Sequence, residues 1–181
     1  MTTNFFKSVS VLAIALMFGF GANAQQDNKV KTNKLSVNVG EFYSLNLSDN
    51  NATILLDNEA KFANGSESTP ITMTIFSSRK YAVSAQVSSA QFNGTAANTT
   101  VNTNNIDLIV AKTSGNEEAV IANRNNNSLK HATAEEIASS SKATKSDVYS
   151  LVYKIPAANT SAFLDQFGKT ITTEITYTLL P

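Results

Sequence analysis

The stretch Ile71–Val87, ITMTIFSSRKYAVSAQV, decides the fold. Ile71, Met73 and Ile75 alternate with Thr72 and Thr74, and Tyr81, Val83, Ala85 and Val87 alternate with small or polar residues. A strand points successive side chains to opposite faces, so this period of two places each apolar set on one side of a pleated sheet. Pro70 stands just ahead of the first run, where a missing backbone N–H does no harm. Ser77-Ser78-Arg79 reads as a tight hairpin connection between the two runs.

The same period extends outward in both directions. Upstream, Leu35, Val37 and Val39 alternate with Ser36 and Asn38, and Tyr43, Leu45 and Leu47 alternate with Ser44 and Asn46. Asp49-Asn50-Asn51 then reads as a turn, and Ala52–Leu56 is a short apolar run. Downstream, Ile106, Leu108 and Val110 form one apolar set and Tyr149, Leu151, Tyr153 and Ile155 another, which Pro156 ends. In the closing run Ile171, Thr173, Ile175, Tyr177 and Leu179 share a face. One short helix is predicted over Thr133–Ser139, with Thr133 as N-cap and Glu136 at the capping-box position. Ser161–Phe167 reads equally as a strand or a helical turn. Many short half-buried strands without intervening helices predict an all-β, immunoglobulin-like sandwich of two antiparallel sheets. Asn93–Asn105 and Ser114–Ser146 read as long polar loops, with Val120-Ile121 as a short strand inside the second.

The first 24 residues predict export. Lys7 is followed by the apolar run Val9–Phe20 and then by Gly21-Ala22-Asn23-Ala24, an A-x-A cleavage signal that makes Gln25 the expected new N-terminus. The run falls short of the about 20 residues that cross a bilayer core, and no second run of membrane length follows. The expected organisation is a signal peptide over 1–24, a flexible polar segment over 25–34 and a sandwich domain over 35–181. The expected location is the periplasm, the outer surface or the medium. Export permits disulfides, yet the chain has no Cys, so a core alone must hold it together.

Charge is sparse and balanced, with 14 basic and 14 acidic residues; loss of Lys7 with the leader leaves 13 against 14. A near-neutral chain lacks the electrostatic footprint of a nucleic-acid or anionic-lipid binder. Enzyme chemistry finds little to work with. There is one histidine, His131, and no thiol, which excludes Cys catalysis and multi-His metal sites. Glu117-Glu118 and Glu135-Glu136 are the densest acids, but they sit among lysines and read as a solvated face. Asp49-Asn50-Asn51 lacks the alternating spacing of a calcium loop. No catalytic residue, metal ligand or cofactor is expected.

Tyr149–Pro156 (YSLVYKIP), Phe167-Gly168 and the closing Thr170–Leu180 (TITTEITYTLL), together with Ile71–Ser88, resemble small secreted bacterial β-sandwiches of the fimbrial-subunit and spore-coat-U type. The closing strand is also similar to the end of WxL wall-binding domains, without their Trp motif. The resemblance implies a structural subunit that associates by giving a strand to a neighbour's sheet. Two features depart from it: the disulfide of those families is missing, and Gln25–Lys34 offers only Val30 as an apolar residue. Leu35, Val37 and Val39 would therefore have to serve as the donor, with Ile175, Tyr177 and Leu179 of the closing strand as the other association residues. Self-association or docking on another surface protein is the expected partnership. The alternative is a glycan- or wall-binding module that uses the 93–105 and 114–146 loops.

Overall fold

The computed structural model describes residues 30–124 and 126–181. The expected signal peptide lies outside the described residues. The chain divides into two units, Met1–Val39 and Gly40–Pro181. In the first, residues 30–39 form neither helix nor strand. Leu35, Val37 and Val39 are 85%, 74% and 87% exposed, so the strand expected from their alternation does not form.

The second unit is an all-β sandwich of two antiparallel sheets. Its strands are β1 (Tyr43–Leu47), β2 (Gly65–Glu67), β3 (Ile71–Ser77), β4 (Tyr81–Val87), β5 (Asp107–Ser114), β6 (Ala119–Ile121), β7 (Glu135–Ser140), β8 (Thr144–Pro156) and β9 (Ile175–Leu180). The first sheet is built around β8. Residues 144–151 of β8 pair with β3 and residues 154–156 with β2, end to end along one edge, while β5 takes the other edge and β1 flanks β3. The second sheet runs β6-β7-β4-β9.

Alternation explains the burial. Ile71, Met73 and Ile75 of β3, Tyr81, Val83, Ala85 and Val87 of β4, and Tyr149, Leu151, Tyr153 and Ile155 of β8 all point into one core. With no disulfide to assist, burial of these side chains, at about 1.5–3 kcal/mol each, is the main force holding the sheets together.

Four expectations are corrected. Ser77-Ser78-Arg79 is no hairpin: β3 and β4 lie in different sheets, and these residues carry the chain from one to the other. The Ser77 hydroxyl donates to Arg79 O at 2.8 Å and so shapes that crossing. Thr133–Ser139 is not a helix but contains most of β7. A register shift between Val83 and Ser84 of β4 bulges β7, so that Ile137 and Ala138, adjacent in sequence, are both fully buried. A bulge inserts one residue and breaks the period of two, which hid this strand. Ser114–Ser146 is not one long loop, since it holds β6, β7 and the start of β8. Ala52–Leu56 forms no strand; Ile54 and Leu56 instead pack on the core from an irregular segment.

Three helical pieces among the described residues complete the fold, one of them the short 3-10 turn Thr103–Asn105. α1 (Glu59–Asn64), absent from the sequence reading, is capped by Asn58, whose Oδ1 accepts from Lys61 N at 3.0 Å. Ala157–Gln166 winds as 3-10 turns and buries Thr160, Phe163 and Gln166, which resolves the ambiguity over Ser161–Phe167.

Candidate functional site

Beyond β4 the chain leaves the sheet, and the segment up to β5 is tied to its end. Thr103 N donates to Ala90 O at 2.9 Å, the Thr103 hydroxyl lies 3.0 Å from Ser89 O, and Gln91 bridges to Asn102. The β6–β7 connection comes to the same place from the other side. Val87 N donates to Lys130 O at 2.9 Å, and the Gln86 carboxamide donates to His131 O at 2.5 Å. Between the two segments lies an open cleft of about 500 Å³. Thr103 and Leu129 are buried at its base, whereas Asn102, Asn104, His131 and Thr133 are exposed along it.

The charges of the cleft are fixed by its surroundings. Its one carboxylate, Glu135, lies 3.5 Å from Nη1 of Arg124, whose side chain is only 6% exposed. The same guanidinium donates to Leu108 O of β5 and to Asn127 Oδ1. Arg124 therefore joins the two sheets and neutralises Glu135. His131 Nδ1 sits 3.2 Å from Val87 O. A carbonyl can only accept, so Nδ1 carries a proton and Nε2 is left for other partners.

A second cluster of polar groups closes one end of the core. Asp147 of β8 is fully buried and accepts from the Tyr81 hydroxyl at 2.8 Å, from Asn116 N at 2.7 Å and from Asn116 Nδ2 at 2.8 Å. Since Tyr81 gives its proton to the carboxylate, its oxygen accepts from Tyr149, 2.8 Å away. Lys112 Nζ donates to the carbonyls of Asn116 and Ala119, which holds the turn against Asp147. Gly115 makes that approach feasible. At φ +122° it occupies backbone space that side chains avoid, and a Cβ there would lie 2.7 Å from Asp147 Cα. The cluster spans both sheets, buries Tyr81, Asp147 and Tyr149 and has its hydrogen bonds satisfied, which marks it as a structural fastener.

Tyr153 and Tyr177 form another tie between the sheets, with hydroxyls 2.6 Å apart. Burial pushes the phenols of Tyr81, Tyr149, Tyr153 and Tyr177 upward. In a folded state that keeps these phenols protonated, stability is intact below the unfolded value of about 10. It falls as pH rises beyond that, because only the unfolded chain then releases the protons. Titration at 295 nm is expected to show these four tyrosines ionising together with loss of strand signal; their ionisation at ordinary pH in a folded protein would contradict the burial.

Among the expected association residues, Ile175, Tyr177 and Leu179 lie on β9 and pack, half-buried, against the core. What β9 leaves open is its outer backbone edge, since among the described residues it pairs only with β4. Leu35, Val37 and Val39 are in the other unit. Of the acidic residues, Glu118 is held by Lys142 at 3.0 Å and by Ser141, and Glu135 by Arg124. The hydrogen bond from Lys142 keeps the Glu118 carboxyl below its usual range. Asp49 Oδ1 accepts from Asn51 N at 2.9 Å, as a turn requires. Among the described residues no group of three or more His, Cys, Asp and Glu could hold a metal ion.

Sequence reading named both polar segments but not their meeting. Their contact depends on pairings between residues about 40 apart, such as Val87 with Lys130, and no local pattern encodes these. No protein-family model matches the chain, and no curated relative matches its sequence.

Proposed function

We propose that the protein is a secreted, non-enzymatic surface or matrix subunit, fimbria-like in its way of assembling, that associates through strand edges. The observation that carries this reading is a pair of complementary features. Residues 35–39 alternate apolar and polar side chains, yet they are unpaired and exposed. β9, six residues long, has an unpaired outer edge. Open edges are templates for another strand, and a segment of matching period satisfies both partners by main-chain hydrogen bonds. The expected location is the periplasm or the cell exterior.

The test is the mass in solution of Gln25–Pro181, by size exclusion with light scattering. Oligomers are expected, dispersed by a synthetic Leu35–Val39 peptide and by Val37→Glu, which sets a charge in the apolar row. A monomer at all concentrations would overturn the reading.

A second reading has its own observation. The two polar segments converge on one cleft whose volume of about 500 Å³ falls within the range of small-ligand sites. Loops at one end of a sandwich commonly carry recognition, which favours an extracellular glycan- or wall-binding module. Because 114–146 contains β6 and β7, deleting it would remove two strands of a sheet. Point substitutions in the cleft are the appropriate probe.

A further inference from the structure

The cleft between the 90–104 and 129–135 segments has a particular chemistry. Its lining is weakly apolar, with Ala90, Ala132 and Ala134 exposed beside the buried Leu129. Its rim carries Asn102 and Asn104, both exposed. Asn102 uses only its backbone carbonyl, which accepts from Asn105 Nδ2 at 3.1 Å. A primary carboxamide offers a donor and an acceptor side by side, the pattern that neighbouring ring hydroxyls complement. An alanine lining suits the C–H face of a pyranose ring.

The cleft is also electrostatically one-sided. The charge of Glu135 is cancelled by Arg124. Lys130 has no ion-pair partner among the described residues, and its ammonium reaches only the Ser128 hydroxyl, at 3.4 Å. His131, with Nδ1 committed to Val87 O, keeps Nε2 for other contacts. The cleft is thus lined by one lysine, Lys130, that forms no ion pair among the described residues.

We propose that this cleft binds a carboxylate-bearing saccharide, a uronate, with the sugar ring on the alanine lining, its hydroxyls on Asn102 and Asn104, and its carboxylate on Lys130. This rests on the carbohydrate-binding reading and extends it from saccharides in general to acidic ones. It is independent of strand-edge assembly, which uses other surfaces.

Calorimetry of Gln25–Pro181 with trigalacturonate and with its methyl ester, the same trisaccharide without charge, separates the two levels of the claim. The acid is expected to bind about tenfold more tightly than the ester, the scale of one charge-assisted hydrogen bond. Lys130→Gln is expected to abolish that preference, and Asn102→Ala with Asn104→Ala to weaken both ligands. Asn102 and Asn104 are exposed and Lys130 is half-buried, so the melting temperature of each variant is measured alongside, and loss of binding at an unchanged melting temperature is the expected result. Equal affinity for acid and ester would overturn the proposal and leave saccharide binding standing. Binding untouched by the three substitutions would overturn the assignment to this cleft. No binding of trigalacturonate, its ester or a panel of neutral oligosaccharides would overturn both levels.

Discussion

Asp147→Ala is expected to cost about 3–5 kcal/mol of folding stability, because it removes the acceptor of three donors at once, one buried and two part-buried. The Tyr81 hydroxyl, Asn116 N and Asn116 Nδ2 all lose their acceptor. Water cannot readily replace it where Tyr149 and Asp147 are fully buried. The carboxylate itself is costly to bury, which is why the loss is smaller than the sum of three charge-assisted bonds. For a domain of this size the change amounts to roughly 10–15 °C in Tm. Urea unfolding followed by circular dichroism gives the number directly. A loss under about 1 kcal/mol would mean that the cluster does not fasten the sheets. Asp147→Asn, which keeps the volume and one acceptor oxygen, should lose less, since only its amide faces a donor on Asn116.

Gly65→Ala is the second substitution expected to act strongly, and for a different reason. Gly65 opens β2 at φ +84°, and a Cβ there would lie 2.4 Å from Ile155 O and 2.9 Å from Ala157 N. Both are backbone atoms that cannot rotate aside. The backbone conformation alone costs roughly 1–2 kcal/mol for an L-residue, and relieving the clash requires β2 to withdraw from β8. A total of about 2–4 kcal/mol is expected. Hydrogen exchange should show Ser66 and Glu67 losing protection while β3, further along the same edge, keeps it. Gly40→Ala is the control: nothing lies within 4 Å of the added methyl group, so its effect should stay within about 0.5 kcal/mol. Wild-type stability for Gly65→Ala would contradict the close approach of β2 to β8.

Much of the sandwich is legible in the linear order of residues. β3, β4, β5, β8 and β9 each show a clean period of two in the sequence, and each is a strand. The strands that escaped are those whose period is disturbed or too short. β7 carries a bulge at Ile137-Ala138, and its Thr and Glu residues imitate a helix cap. β2 has three residues and is defined by its contact with β8 rather than by any pattern. Conversely, Leu35, Val37 and Val39 show good alternation and form no strand, because a strand needs a paired neighbour and these residues have none among the described residues of their unit.

The sites divide along the same line. Asn93–Asn105 and the charged stretch after Ser114 stand out by composition, but the cleft exists only because Lys130 and His131 hydrogen-bond to the end of β4. The Asp147 cluster had no advance signal, since a lone Asp in an alternating strand resembles a residue at a strand end. It lies in phase with Tyr149 and Leu151, so the alternation of β8 itself turns it inward. By itself the sequence determined that this is a cysteine-free all-β chain and which faces of its regular strands are apolar, because side-chain alternation is a local property of the backbone. Which strands share a sheet, where bulges reverse a face, and which distant loops meet in a cleft were decided only by the tertiary structure, because each depends on hydrogen bonds between residues far apart in the chain.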